Sequence, residues 1–404
     1  MSSERWTASN SVAIVGVGYS ELGRRLPRPL GLLARDAAVA AVFDAGLNLA
    51  DIDGMSTYPD MPIMGSSGTD RDGIGTVSVE YMLRATGLKD SVRWYNQNSI
   101  GLLAGSIIQA ALAIAAGACN YALVWRGMHM PRGRYHSWRD PVASGNFQFT
   151  VPYGVLQGSV AVGMAYQDYM HRFGLNRENF GNFIVRNRRA AQRNPRSYFR
   201  DTLLSMDEYL SARMIAEPLS IFDCDLPLDG CAAFVLARAD RATDLRQKPV
   251  YIRGWAQGTD PGVSNGVYRL RNLDYQWEAG ESFAKKLWAS AGLTHKDVQA
   301  AMIYDAFSPF VLWWLESLGF CRRGEAWQFL DEQAEGQPGR LAINTSGGSL
   351  GEGRMHGATH VAEAVYQLTG RAEERQAPDI EHALVTIGPP GLANGGIILS
   401  RSAS

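Results

Sequence analysis

Asn344–Gly357, NTSGGSLGEGRMHG, decides how the chain is read. A short apolar run, Leu341–Ile343, leads into it and a helical pattern, His356–Leu368, leaves it, so five glycines stand between a strand and a helix. Glycine lets a backbone approach a ligand closely and leaves amide donors unshielded. The stretch follows neither the G-x-x-x-x-G-K-[ST] phosphate loop nor a dinucleotide fingerprint placed after the first strand. As chemistry it reads as a cradle of amides at a helix N-terminus, suited to an oxyanion or a thioester oxygen.

The same order of strand, small residues and helix occurs earlier. RWYNQNSIG (93–101), a helix and YALVWRG (121–127) parallel LAINTSGG (341–348), a helix and HALVTIG (382–388), which reads as an internal duplication with two helix N-termini converging on one site. A generic βαβ unit is the alternative. Strand and helix patterns alternate along both halves, which predicts an α/β fold with a mainly parallel sheet covered on both faces. The first half spans 1–250 and the second 251–404. Between about 128 and 217 the texture turns to Arg, Tyr, Phe, Asn and Pro with weak strand signals, the mark of an inserted lobe.

Composition sets outer limits. In 404 residues, 39 Lys and Arg stand against 40 Asp and Glu, so no global field draws nucleic acid or an anionic membrane. Residues 101–118, GLLAGSIIQAALAIAAGA, form an uncharged run long enough to raise a membrane span. Its Ser, Gln, Ala and Gly content and the strands on either side favour a buried helix. The four cysteines form no C-x-x-C pair and no cluster with histidine, and the N-terminus lacks a signal-like apolar run. A reduced cytoplasmic setting without a metal is the expectation.

At this point the chain resembles the thiolase superfamily, in particular the branch around the sterol-carrier thiolases. NTSGGSLGEGRMHGAT (344–359) resembles that branch's N-x-S-G-G…G-H-P-x-G-A-T loop, and IYDAFS (303–308) its H-[DE]-x-F-[AS] motif. DLPLDGCAAFVLA (225–237) resembles C…DGAAA-x-VL, and NFIVRNRRAAQRNP (182–195) resembles V-x-N-[HR]-x-x-A-x-x-NP. The resemblance implies a duplicated five-layer αβαβα fold with an inserted loop domain, a homodimer, and acyl-CoA substrates with coenzyme A as part of the substrate and no other cofactor.

The departures carry as much meaning. Asn98 stands where the family has its nucleophilic cysteine, Arg354 where it has the G-H-P histidine, Tyr304 at the histidine of H-[DE]-x-F, and Thr386-Ile387-Gly388 at C-x-G or H-x-G. Neither Asn nor Thr replaces a thiolate held beside a histidine, so covalent Claisen chemistry is not expected. An amide cradle still stabilises an enolate without an acyl-enzyme. The chain is similar to the cysteine-less thiolase-like aldolases of steroid and bile-acid side-chain degradation. That resemblance implies retro-aldol cleavage of a β-hydroxyacyl-CoA to a ketone and a short acyl-CoA, and a small zinc-ribbon/OB-fold partner protein.

On this reading Tyr304 is the acid/base, its phenolate favoured by the Arg354 guanidinium. His356 supplies a second proton transfer, interchangeably with Arg354, and Asn98 takes part in catalysis or orients substrate. Ser346, Gly347 and Gly348 cradle the thioester. Arg186 and Arg189, from the run 186, 188, 189, 193, 196 and 200, take the coenzyme A phosphates from one helix face. The bland readings stand beside these: a core tyrosine, an Arg354 paired with Glu352 or Asp305, a capping His356, a solvated basic face. Asp305 reads as structural. Trp138, Phe147, Phe149, Tyr153 and Tyr166 line an apolar pocket or fill a core. Two other functions stay open, a non-catalytic acyl-CoA-binding subunit and an acyltransferase using another nucleophile such as Ser99.

Overall fold

The computed structural model describes residues 5–58, 77–97, 101–129, 148–155, 158–258, 272–333, 340–391 and 394–403. Its strands are β1 (Val12–Tyr19), β2 (Gly54–Thr57), β3 (Trp94–Gln97), β4 (Tyr121–Met128), β5 (Met214–Ala216), β6 (Leu219–Ser220), β7 (Gly230–Arg238), β8 (Val250–Gly258), β9 (Ala300–Met302), β10 (Ala342–Ile343), β11 (His382–Ile387) and β12 (Asn394–Ser400). The short pair β5 and β6 stands apart, and the other ten run in the order β10-β9-β11-β12-β8-β1-β7-β4-β2-β3.

That order is one five-strand pattern written twice. β2 lies parallel to β3 and β4, then β4, β7 and β1 run antiparallel. In the second half β9 lies parallel to β10 and β11, then β11, β12 and β8 run antiparallel. The halves meet where β1 and β8 pair at Ala13 with Tyr251 and Ile14 with Val250. The expectation of a mainly parallel sheet is therefore corrected, since half of the pairings within each repeat are antiparallel. Residues 388–393 join β11 to β12 with no room for a crossover helix, and a strand that returns so directly must run antiparallel.

Two helices lie between the halves. Helix Leu102–Ala115 packs on β2 and β4 of its own half and on β12 of the other, and helix Ala358–Thr369 packs on β9 and β11 and reaches β7. Both are buried almost all round. A helix apolar on every face belongs in such a layer, so the uncharged run 101–118 is a core helix. Among the described residues no helix is long and apolar enough to cross a membrane. The approach is close enough to demand glycine, because a Cβ on Gly395 of β12 would stand 2.8 Å from the Ala104 Cβ. Helix Leu30–Ala45 covers the outer face of the first half, and Leu273–Ala291 that of the second. Helix, sheet, helix pair, sheet and helix make the five layers expected.

The connection from β4 to β7 carries the lobe, with helices Gly158–Phe173 and Arg177–Gln192. Asn176 caps the second of these, accepting from Glu178 N at 3.0 Å and Asn179 N at 3.3 Å. The lobe is fastened to the second half by Glu316, buried on helix Pro309–Ser317. Its carboxyl accepts from Tyr169 Oη at 2.6 Å, Trp277 Nε1 at 2.7 Å and Gly324 N at 2.8 Å. Burial pushes it up to about 7 against those donors. A buried donor left without an acceptor costs ~1–3 kcal/mol. Glu316→Ala therefore destabilises the chain by roughly 3 kcal/mol or more, and Glu316→Gln, which keeps one carbonyl oxygen, by less; thermal melts followed by circular dichroism check the ranking.

Candidate active site

Just beyond β9 the chain Ile303–Asp305 is held rigidly from both sides. Asn344, the first residue of the glycine-rich loop, accepts from Ile303 N at 2.7 Å and donates to Ile303 O at 2.9 Å. Thr386 of β11 accepts from Tyr304 N at 3.1 Å. The Tyr304 ring lies against Phe310, centroids 6.4 Å apart and nearly parallel, with His360 6.1 Å away. Thr386 thus supports Tyr304 from the family's C-x-G position.

Asp305 is structural, as its sequence context suggests. Its carboxylate accepts from Ser349 N at 2.7 Å, Leu350 N at 3.3 Å and Asn187 Nδ2 at 3.3 Å, with His360 Nε2 at 3.0 Å. The amides that open the short helix Gly348–Gly351 are therefore spent on Asp305. Gly348 has φ 59°, and a Cβ there would stand 2.2 Å from Asp305 Oδ2. Gly347 N donates to Asn344 O at 2.8 Å, and Ser346 O accepts from Asn194 Nδ2 at 3.2 Å. Gly347 and Gly351 also abut Ala191 of the lobe. Of the three cradle residues Ser346, Gly347 and Gly348, Gly347 spends its amide inside the loop, and Gly347 and Gly348 pack closely on Ala191 and Asp305.

The chemistry gathers past the loop. Arg354 N donates to Leu226 O at 2.8 Å, and its Nε lies 3.9 Å from Asp225 Oδ2. Arg354 Nη2 touches His356 Nε2, while the other ring nitrogen, Nδ1, is 2.9 Å from Arg126 Nη2. Arg126 comes from β4 in the first half and donates through Nη1 to Tyr58 O at 2.6 Å. Tyr304, Arg354, His356, Asp225 and Arg126 are all buried, so the site lies in the seam between the repeats.

Burial and charge set the protonation states. Desolvation, then Arg354 and Arg126, hold His356 well below the usual imidazole range. Desolvation raises Asp225 to about 8 despite Arg354. Tyr304 is raised by desolvation and by Asp225, with Arg354 pulling the other way. This corrects the expected phenolate: the guanidinium acts in the expected direction, but burial outweighs it. At neutral pH the site holds a neutral phenol, a neutral imidazole and a largely protonated carboxyl beside two guanidiniums.

Asn98 and Ser99 lie outside the described residues, as do Trp138 and Phe147. Tyr166 is core, whereas Phe149 and Tyr153 are exposed. The arginine run does not form one stripe, because its helix ends at Gln192. Arg188 lies buried over the Phe199 ring at 3.4 Å, and Arg196 sits between the rings of Tyr19 and Tyr366. Arg189 is exposed. Arg186 donates to Leu330 O at 2.6 Å and, with Arg193, Arg340 and Arg375, lines a cleft of about 310 Å³. Sequence reading missed Arg126 and Asp225. Their signals were a lone charge in the apolar run YALVWRGM and the repeated aspartates of FDCDLPLDG.

The raised Asp225 makes stability depend on pH. Its folded pKa of about 8 exceeds the 3.8 of a free side chain, so the folded state keeps a proton that the unfolded chain releases. Stability falls as pH rises through that window and levels off above it. Asp225→Asn removes this part of the slope, which urea melts between pH 5 and 9 measure directly.

Residues 270–402 match the family model described as Thiolase C-terminal domain-like. Over 401 residues the chain is 35% identical to the 17-hydroxy-3-oxo-4-pregnene-20-carboxyl-CoA lyase of Mycobacterium tuberculosis, covering 97% of this chain and 99% of that one. It is 33% identical to the steroid side-chain-cleaving aldolase of Thermomonospora curvata, covering 96% and 97%. A solved structure of an Ltp2–ChsH2(DUF35) aldolase superposes with a TM-score of 0.84 at 31% identity, over 98% of each chain.

Proposed function

Because the chain belongs to the thiolase superfamily, among relatives named for cleaving steroid side chains, we propose that it is a coenzyme-A-dependent aldol lyase. Its substrate is a β-hydroxyacyl-CoA with a steroid or bile-acid skeleton, and its products are a ketone and a short acyl-CoA such as propionyl-CoA or acetyl-CoA. The observation that carries the reading is the buried group Tyr304, Asp225 and Arg354, with Thr386 at the position of a family cysteine.

Cleavage removes the proton of the β-hydroxyl, breaks the Cα–Cβ bond as the ketone forms, and leaves the bonding pair in a thioester enolate whose α-carbon then takes a proton. Asp225 is the base. A carboxylate with a pKa of about 8 is a far better proton acceptor near neutrality than an ordinary one. His356 is unsuited to that task, since protonation would place a third cation between Arg126 and Arg354. Tyr304, held neutral by burial, is the donor to the α-carbon. Burial raises all four thiols, Cys119 to about 12 and Cys224, Cys231 and Cys321 further, so none of them is a ready acyl acceptor.

Coenzyme A arrives as part of the substrate, and the arginine cleft with Arg186 is the place we assign its phosphates, with Arg189 at the surface outside that lining. A DUF35-type partner, with the zinc-ribbon and OB-fold that the resemblance implies, completes the working enzyme. A homodimer fits the position of β3, which is the terminal strand among the described residues and so presents an edge for pairing. We assign the enzyme to the cytoplasm, where its four unpaired cysteines stay reduced.

The test is incubation of the protein and its partner with a steroid-type β-hydroxyacyl-CoA, with products read by mass spectrometry. Tyr304→Phe lowers kcat by roughly 10²–10⁴ while acyl-CoA binding is kept. An acyl-enzyme mass accumulating on the wild type would move the reading to an acyltransferase, and binding without cleavage to a carrier.

A further inference from the structure

We propose that Asp223 is the positioning residue of the reacting centre: through Ser308 it sets the segment that carries the base, Asp225, against the segment that carries the acid, Tyr304. The proposal rests on the lyase reading for the roles of Asp225 and Tyr304 and adds to it a residue that acts only through them.

Asp223 is fully buried, and its carboxylate gathers donors from separate parts of the chain. Oδ2 accepts from Ser220 N at 2.8 Å and Ser220 Oγ at 2.6 Å, and Oδ1 from Tyr209 Oη at 3.0 Å and Ser308 Oγ at 2.7 Å. Arg177, which opens helix Arg177–Gln192, brings Nη2 to 4.0 Å from Oδ2. Arg177 and Tyr209 belong to the lobe, whereas Ser308 follows β9 in the second half. A carboxylate is tolerated inside a protein when its oxygens are this well supplied. Here the supply ties the lobe to the second half beside the site.

Ser308 gives up a local bond to make this contact. It is the N-cap of helix Pro309–Ser317, where a serine hydroxyl ordinarily accepts from an amide of its own first turn. It makes no such cap and donates to Asp223 instead. The backbones follow: Ser308 N donates to Asp223 O at 2.9 Å, Asp225 N donates to Ala306 O at 3.0 Å, and Cys224 forms an antiparallel bridge with Phe307. The result is a short ribbon that begins at Asp223 and Ser308. Cys224 is extended, with φ −119° and ψ 136°, so Asp225 stands two residues, about 6.6 Å, along the chain from the carboxylate that anchors it. A slip of one residue would turn it to the opposite face. Tyr304 lies on the facing segment, a few residues before Ser308, and the far end of the Asp225 segment is held where Arg354 N donates to Leu226 O at 2.8 Å. One carboxylate therefore sets the register of acid against base.

Two variants carry opposite expectations, because Ser308→Ala and Tyr209→Phe each delete one donor to the same oxygen, Oδ1. The groups facing Asp225 are Arg354, Asp305 and Tyr304, and burial is the first cause of its raised pKa. Those facing Asp223 are Arg177, Tyr209, Tyr166 and Cys224. Loss of the Ser308 hydroxyl loosens the ribbon and admits water to Asp225, whose pKa then moves down toward the ordinary carboxylate range. Loss of the Tyr209 hydroxyl leaves the ribbon closed and weakens only the hold of the lobe.

The full chain with its partner is assayed for cleavage across pH, and the chain alone is followed in urea melts between pH 5 and 9. Both variants should unfold more easily than the wild type, as support alone would predict. Ser308→Ala is expected to lose roughly tenfold or more in kcat with KM within about twofold. The acidic limb of its pH–rate profile should move to lower pH, and the part of its stability slope owed to Asp225 should vanish. Tyr209→Phe should keep kcat, limb and slope. If Ser308→Ala does not fold, Ser308→Cys, with a weak donor of similar size, replaces it with the same directions of change. A Ser308 variant with the wild-type kcat, limb and slope, or a Tyr209→Phe that matches it in all three, overturns the proposal. If no chain cleaves substrate, the melts decide: loss of the slope in the Ser308 variant alone keeps Asp223 as the residue that places Asp225 and rejects the lyase reading, and an unchanged slope rejects both.

Discussion

Everything around the site hangs on one carboxylate. Asp305 follows β9, and its oxygens take the opening amides of helix Gly348–Gly351, the side-chain amide of Asn187 on the lobe and the ring of His360 on a central helix. Four separate parts of the chain are thereby fixed relative to one another, and Tyr304 is the preceding residue. A buried carboxylate so fully supplied with donors is held in place by its hydrogen bonds. Removing it would leave buried donors in three elements without an acceptor. The loop that carries Arg354 and His356 would then lose its seat.

Much of this was legible because glycine and asparagine leave strong traces. The run of glycines between a strand and a helix marked the loop correctly, and Asn344 stood at its entrance. What spacing could not reveal was the destination of the amides, since Asp305 lies some forty positions away and competes with any ligand for them. Tyr304, Arg354 and His356 were read from motifs; Arg354 and His356 touch, and Tyr304 lies near enough to feel the Arg354 charge. Arg126 escaped because a single charge in an apolar strand gives no sign of which face it takes until register is known. The arginine run misled in the opposite way: helical spacing continued on paper past Gln192, where the helix ends and the chain turns. The parallel sheet was overestimated because alternation of patterns does not show whether the last strand of a repeat crosses over or folds straight back.

Burial also decides which chemistry the seam supports. In a wet site Arg354 would draw Tyr304 toward a phenolate and Asp225 toward a carboxylate. In the dry seam the neutral forms prevail for Tyr304, Asp225 and His356. The result is a set of neutral proton carriers, of which Asp225 alone lies near its titration point, beside two guanidinium groups. Chemistry that passes through a short-lived anion suits such a setting, whereas chemistry that needs a standing thiolate does not.

The repeated sheet has one further bearing. YALVWRG and HALVTIG align strand for strand, so the place of Arg126 in β4 is taken in β11 by Ile387, and that of Trp125 by Thr386. The connection that follows β4 carries a whole lobe, while its counterpart after β11 closes within 388–393. The twofold relation of the scaffold is thus erased at the level of side chains, and the two repeats are no longer exchangeable. On the proposed lyase reading, each chain then holds one reactive centre assembled from unlike contributions, which sets one substrate per chain rather than one per repeat.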